Sequence, residues 1–535
     1  MDRIAIVAAG LAACSVIGAP RAAGAQRRAP IESGRQLATH PLTLADVVER
    51  ALRDDPNLHL GEQLADGALG AAISSHALYD MTVQTSVAHS RQNGLQLGAP
   101  PQPGSPSPIR TALSSTVISS VSAQKRLPWG GLTIAPQFSI SGAGTPGIVA
   151  QSRATTALGV TVPLGRDRGG ALASSSQAAA YAEADATVAD LRQAASASAL
   201  QAVYSYWAFI AAQQRLAVLN ATEERARRNL SQARDLVAAD ERPAADLVQL
   251  RGSVASRIAS RVSAEQSLLD AWRTLAARFG AGDVDITEIP RGGSDFPELP
   301  DSASLRSAPS ASETRALIDA ALGQRSDVAA TTTRVRESEY VVRAANHLMR
   351  PVVDVVAQIG YSGLDQGSGL NPYLSPLYRN WSPLNATIQF VYEFSAVNSD
   401  ASGRYRQATA NLDAQRISRG VLERSITTGV VVALSDVRHT IASAQASRTS
   451  TLAAQQSVEN ELHMFRLGSA TVIDVVLSEE GLTSALLAEI AGRQSYAGAL
   501  ARLQFELGTL VTGDRQAFVG NIAALTRAPA IIATP

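Results

Sequence analysis

The run ALASSSQAAAYAEADATVADLRQAASASALQAVYSYWAFIAAQQRLAVLNATEERARRNLSQARDLVAADER, Ala171 to Arg242, contains neither glycine nor proline. A helix over these roughly 72 positions, at about 1.5 Å per residue, would be on the order of 100 Å long. No compact domain of ordinary size buries such a rod alone. Leu200, Val203, Trp207 and Ile210 recur at 3-4-3 spacing, which lays one apolar seam along the rod for a partner helix. Ala, Ser, Gln and Arg make up most of the remainder, so the other faces are small and wettable. The segment reads as a strut in a helical bundle.

On its C-terminal side Pro243 marks a turn, and a second helix, 244–280, carries Leu268, Trp272, Leu275 and Phe279 at 4-3-4 spacing before Gly280 and Gly282. Residues 283–312, rich in Gly, Pro, Ser and Asp, read as a linker. On the N-terminal side the period drops to two. Met81, Val83, Thr85, Val87 and His89 alternate with polar residues, and Ala154, Thr156, Leu158, Val160, Val162 and Leu164 do the same. Two strands with one greasy and one polar face are therefore predicted at 81–91 and 153–164. Between them, strand-like runs flank Pro128-Trp129-Gly130-Gly131 and suggest a further hairpin over 111–141. Ahead of the strands lies a helical block in which Thr43 can cap, Leu44, Val47, Val48, Ala51 and Leu52 keep helical spacing, and Asp55-Pro56 interrupts.

After the linker the pattern returns. Ala321-Leu322 and Arg325-Ser326-Asp327-Val328 match Ala51-Leu52 and Asp55-Pro56-Asn57-Leu58 at an offset of about 270 residues. Tyr496, Leu500, Leu503, Leu507 and Gly508 match Leu268, Trp272, Leu275, Phe279 and Gly280 at about 228. The chain thus reads as two internal repeats, 41–282 and 313–511, followed by a tail, 512–535. The second repeat has strands at 352–361 and 385–396 and long helices at about 400–465 and 471–510. A few amphipathic strands cannot stand open in lipid, because unpaired backbone groups there cost several kcal/mol each. They have to close with other copies, and the same symmetry axis lets the helices form a hollow cylinder.

The N-terminus has the form of an export signal. Arg3 precedes an apolar run from Ile4 to Ile17, and Ala23-Gly24-Ala25 offers a small-residue cleavage site. Residues 1–25 are the predicted signal peptide and 26–40 a polar leader. Leu11-Ala12-Ala13-Cys14 also fits lipoprotein processing, with lipid attached to Cys14; the apolar run continuing through Val16 and Ile17 favours cleavage after Ala25. Lys plus Arg number 47 and Asp plus Glu 47, so no overall basic footprint for nucleic acid exists. The seven histidines show no metal-ligand spacing, and no nucleophile elbow, phosphate loop or dinucleotide motif is present. The residues point to neither an enzyme nor a cofactor protein.

With these features in hand, the chain resembles the TolC family of outer membrane efflux proteins from about Pro41 to Leu510. The most specific likeness is Phe465-Arg466-Leu467-Gly468-Ser469-Ala470-Thr471-Val472-Ile473-Asp474-Val475-Val476-Leu477, similar to the family's helix-turn-helix tip. Val162-Pro163-Leu164 to Gly169-Gly170 and Gln324-Arg325-Ser326-Asp327 are also similar. The resemblance implies an α+β membrane protein: a homotrimer in the Gram-negative outer membrane, with a transmembrane β-barrel of roughly twelve strands continued by a long periplasmic α-helical barrel. It implies two strands per half; the 111–141 hairpin would then either add strands or lie outside the barrel. It further implies an exit duct for efflux or type I secretion, partnered by a periplasmic adaptor and an inner-membrane transporter.

By the same resemblance Asp474 matches a carboxylate ringing the pore, Asp246 an inter-helix link at the first tip, and Leu467, Gly468 and Ser469 the surface that meets the adaptor. Leu477 replaces a second ring aspartate, Ala470 a linking arginine, and the first tip lacks its glycine; Arg242 or Arg466 are the substitutes for the link. Simple alternatives exist for both acids. Asp474 can favour a helix N-terminus, and Asp246 can cap the helix after Pro243. The competing class is a coiled-coil scaffold or adaptor without a pore. It accounts for the helices but not for Ile388, Phe390, Tyr392 and Phe394 on one strand face beside long Gly/Pro loops.

Overall fold

A computed structural model of the chain describes residues 41–97, 102–104, 106, 108–145, 148–240, 243–279, 289–301, 309–514, 517–530 and 532. The signal and leader, with Cys14, lie outside them. The elements in chain order are α1 (Leu44–Asp54), α2 (Pro56–Ser75), β1 (Thr82–Leu97), β2 (Ile109–Arg126), β3 (Thr133–Thr145), β4 (Ile148–Pro163), α3 (Ala171–Ala238), α4 (Ala245–Ala277), α5 (Ala311–Gln324), α6 (Ser326–Leu348), β5 (Val352–Gln366), a short α7 (Leu370–Leu374), β6 (Asn385–Glu393), α8 (Ser399–Arg466), α9 (Val472–Glu506), β7 (Val511–Asp514), β8 (Ala517–Gly520) and α10 (Ile522–Thr526). Two compact units result. One holds Leu69–Glu183 and Val335–Gln415, the other 41–68, Ala184–Arg334 and 416–532. Among the described residues no helix is long and apolar enough to cross a membrane.

The first unit is built on a six-stranded antiparallel sheet in the order β1-β2-β3-β4-β5-β6. The hairpin left open by the sequence is therefore part of the sheet, as β2 and β3, and the first half of the chain contributes four strands instead of two. Strand β1 also runs to Leu97, past the expected end at 91, because Gln92–Leu97 pair with Ile109–Ser114. A polar, glycine-containing segment is strand here because a partner satisfies its backbone, a cause that side-chain alternation does not reveal.

Register sorts the sheet into two unlike faces. Ser86, Ser120, Ser139, Thr155 and Ser362 are successive partners across five strands, with Ser86–Ser120 and Ser139–Thr155 hydroxyl pairs at 2.7 and 2.6 Å. On the other face, Ile134, Val160, Ala357 and Ile388 form one row, and Pro136, Leu158, Ile359 and Ala386 the next. Many large apolar side chains of this face are open, among them Val83, Val121, Leu158, Ile359 and, at 79% exposure, Ile388. Toward the strand ends near Gly142 and Gly363, α7 lays Tyr373 over Val117, Ile140 and Ala154, its hydroxyl donating to the Ile140 carbonyl at 3.3 Å.

The junction from β4 to α3 is a close backbone fit. Leu164 N–H and Gly165 N–H both donate to the Val353 carbonyl at 2.7 and 3.1 Å, and a Cβ on Gly165 would collide with the Pro351 carbonyl. The Pro128–Gly131 turn docks beside it. Gly130 bridges Gly169, and Arg126 pairs with Asp167, whose carboxylate accepts from Leu172 N–H at 2.8 Å to start α3.

In the second unit the seams read from sequence meet. Leu200, Val203, Trp207 and Ile210 of α3 join Leu268, Trp272 and Leu275 of α4 in one core with α1. Phe209 and Trp272 lie 5.6 Å apart between ring centres. Tyr496, Leu500 and Leu503 form a second core with Val437 and Ile441 of α8. Part of the 283–312 linker is packed: Phe296 is buried against Trp207 at 5.4 Å. The starts of the two halves use one device, a capping box at Thr43–Asp46 and at Ser310–Glu313. Each first helix then ends on an extended residue, Asp55 (φ −64°, ψ 121°) or Arg325 (φ −70°, ψ 128°). The tail begins with a β7–β8 hairpin.

Truncating Trp272, a fully buried side chain shared by α3 and α4, leaves a large cavity. Trp272→Ala is expected to cost about 3–5 kcal/mol, read as an earlier loss of helical circular dichroism in denaturant.

Candidate channel gate

The residues singled out at the helix tips all belong to the second unit. At the first tip α3 stops at Ala238, short of the 242 expected. Asp240 takes a left-handed conformation (φ 61°), and its N–H donates to the Val237 carbonyl at 3.1 Å. Glycine adopts this geometry most readily and aspartate tolerates it, so Asp240 makes the turn here without a glycine. Arg242 lies outside the described residues. The chain re-enters helix after Pro243, with Asp246 N–H donating to the Pro243 carbonyl at 3.1 Å. Ala244 at the N-cap offers no side chain to cap α4, and Asp246 makes no side-chain cap either. Its half-buried carboxylate stands in the first turn, where the helix dipole favours it.

The second tip is a Schellman turn followed directly by a capping box. Gly468 (φ 75°) donates to Phe465 O at 3.1 Å, and Ser469 to Met464 O at 2.9 Å, which satisfies the last carbonyls of α8. Thr471 then caps α9. Asp474 N–H donates to Thr471 Oγ1 at 3.3 Å, while the Asp474 carboxylate accepts from Thr471 N–H at 2.9 Å and from Thr471 Oγ1 at 2.6 Å. These bonds, the hydroxyl first and the backbone second, hold the Asp474 carboxyl below the usual carboxylate range. Asp474 is exposed and remains an anion at neutral pH. Leu467, Ile473 and Leu477 around it are also exposed, Leu467 at 64%.

An apolar cluster joins both tips. Leu230 and Ala233 of α3, Leu247 and Leu250 of α4, Phe465 of α8 and Val472 and Val476 of α9 pack together. Neighbours of Asp246, Arg466 and Asp474 are thereby brought together, yet among the described residues no hydrogen bond or ion pair is recorded linking those three to one another. Arg466 is exposed.

Farther along the same helices lies a polar belt that sequence reasoning missed. Arg225 Nε donates to Glu479 Oε2 at 2.9 Å, Arg261 Nε to Glu223 Oε2 at 2.7 Å, and Arg257 faces Glu480 at 3.4 Å. Glu223 and Glu479 are both buried, at 6% exposure. Hydrogen bonding from Arg261 holds the Glu223 carboxyl below its ordinary range. The run Glu223-Glu224-Arg225 facing Glu479-Glu480 was the available signal, but a charge run usually marks a solvated face.

No family model matches the sequence, and no curated protein matches it. Solved structures do. The CmeC outer membrane channel of Campylobacter jejuni aligns with a TM-score of 0.64 at 14% identity, covering 87% of this chain and 85% of that one. The outer-membrane channel OprN aligns at 0.62 and 16%, covering 92% and 99%. The outer membrane protein VceC of Vibrio cholerae aligns at 0.63 and 15%, covering 87% and 96%. The similarity extends over nearly the whole length of each and establishes a shared fold.

Two outcomes follow from the tip and the belt. Because Asp474 ionises more readily folded than unfolded, its support of the α9 turn is complete above the ordinary aspartate range and is lost as pH falls through the depressed value. Amides 472–475 should therefore lose protection at low pH once exchange is corrected for its intrinsic pH dependence, and Thr471→Ala should lower their protection several-fold at neutral pH, the equivalent of about 1 kcal/mol. In the belt, Arg225→Leu alone strands Glu479 and should destabilise by about 3 kcal/mol, whereas Arg225→Leu with Glu479→Leu recovers most of the loss in denaturant unfolding.

Proposed function

We propose that this chain, which has the TolC-like outer membrane channel fold, is the outer membrane exit duct of an efflux or type I secretion system. The observation that carries the reading is the sheet of the first unit, apolar and open on one face, polar on the other, with β1 and β6 each paired on one side only. A soluble scaffold gains nothing from such a face, while a barrel in lipid requires it. The chain acts as a passive conduit and catalyses no reaction.

In this reading the protein is a homotrimer in the Gram-negative outer membrane. Strands of three copies close one β-barrel, and α3, α4, α8 and α9 of each copy line a periplasmic tunnel. Apolar residues left open on the helices support self-association, among them Leu60 and Leu64 on α2 and Ile417, Val421 and Val432 on α8. The matched capping boxes and extended C-caps of α1 and α5, and the similar lengths of α3 with α8 and α4 with α9, support descent from an internal duplication. Trp129 and the Tyr361–Trp381 pair, whose rings lie 5.7 Å apart and tilted at 47°, suit an aromatic girdle at the membrane surfaces.

The tips form the gate. Three Asp474 carboxylates around the axis, kept ionised by Thr471, disfavour anions in a narrow constriction. Asp246, with Arg466 or Arg242, links helices of neighbouring copies. Leu467, Gly468 and Ser469 meet the periplasmic adaptor, which couples the duct to an inner-membrane transporter.

Purified protein in planar bilayers tests this. A trimer with small, cation-selective conductance is expected, and Asp474→Ala should reduce the selectivity or raise the conductance. A folded, membrane-embedded protein that conducts no ions would overturn the reading. Conductance indifferent to Asp474→Ala would remove the gate assignment alone.

A further inference from the structure

We infer that all six strands of each copy, the β2–β3 hairpin included, stand in the barrel wall, with β1 of one copy pairing antiparallel to β6 of the next. This rests on the exit-duct reading above. It departs from the two strands per half that the resemblance implies.

Sidedness is the first ground. Thr85, Val121, Phe138, Thr156 and Tyr361 are consecutive partners on the face that carries the open apolar residues. The serine and threonine row on the opposite face likewise runs through β2 and β3 without a break. A hairpin folded outside the wall would have no reason to keep both faces in phase with strands on either side of it. Lipid on one side and a wet lumen on the other impose that phase on every strand of a barrel wall.

The edges are the second ground. β1 and β6 each have one neighbour, and a bare strand edge within hydrocarbon is not tolerated. With every pairing antiparallel and an even number of strands, β1 of the next copy meets β6 in the antiparallel sense with the apolar faces on the same side. β6 spans nine residues, close to the about 9–11 of a tilted membrane strand, and the 16-residue β1 covers it with length to spare. Among the described residues no other segment pairs with either edge, and a second copy serves each with the other.

Three copies of a six-stranded sheet make eighteen strands. Barrel diameter grows roughly linearly with strand number, and eighteen-stranded barrels keep an aqueous channel. The exit would be about half as wide again as a twelve-stranded one, so the outer barrel would not restrict what the helix tips admit.

Cysteine pairs in the assembled, full-length protein test the arrangement. Thr85→Cys on β1 would be combined in turn with Ile388→Cys, Phe390→Cys and Tyr392→Cys on β6, and separately with Leu158→Cys on β4; Thr85→Cys alone controls for Cys14. Directly opposed residues on neighbouring strands are within disulfide reach, whereas β1 and β4 of one sheet stand three strand spacings apart, about 14 Å. Mild oxidation of outer membranes should link copies covalently in one β1–β6 combination and leave the β1–β4 pair reduced. An intramolecular β1–β4 disulfide would overturn the inference, since the hairpin would then lie outside the wall. A trimer in outer membrane fractions with no β1–β6 link in any combination would overturn it as well. Fractionation and mass in detergent, measured on the same samples, separate these results from failure of the duct itself, which would show as a chain neither trimeric nor in the outer membrane.

Discussion

Every backbone amide and carbonyl placed in hydrocarbon must find its partner within protein, and on the proposed reading the six-stranded sheet answers to that constraint. Pairing between strands satisfies it even where the side chains are poor strand formers, as in Gln92–Leu97 against Ile109–Ser114. The two outer strands do not satisfy it in a single chain. On the proposed reading, closure with further copies follows as a physical need.

Helices of this length are held by contact with one another rather than by a central core. The seams are ordinary knobs of Leu, Val, Ile and Trp. What differs along the helices is how polar groups are placed between the apolar layers. Near the tips an apolar cluster is bounded by the Thr471–Asp474 box on one side and by the Arg225–Glu479 and Arg261–Glu223 pairs on the other. Buried ion pairs add little net stability. They do fix which helices are neighbours and in what register, because a shifted register would leave a charge buried alone.

Much of this was legible in the residues. The glycine-free run predicted α3 to within four residues at its C-terminus, and period-two alternation located the strands and their faces, since those signals come from side chains meeting two different environments. Strand ends were not legible where pairing alone decides them, and the place of the 111–141 hairpin was not, because alternation gives a strand's faces and never its neighbour. Thr43 could be read as a cap from the residue itself. By resemblance Asp474 is a pore carboxylate and by helix position a dipole residue; its reciprocal bonds with Thr471 emerge only in three dimensions. Asp246, a capping candidate by sequence, makes no side-chain cap among the described residues. The buried belt was hidden for a general reason: Glu223 and Arg225 look like any solvated helix surface until the helix opposite them is known.

The central claim is that this chain forms a closed duct through the outer membrane. Electron cryomicroscopy of the full chain reconstituted in lipid nanodiscs tests it most directly. The account predicts a threefold particle in which a closed β-barrel crosses the disc and an α-helical tube surrounds a hollow axis outside it. A particle with an open sheet, with no density crossing the disc, or with helices packed around a solid centre would contradict it.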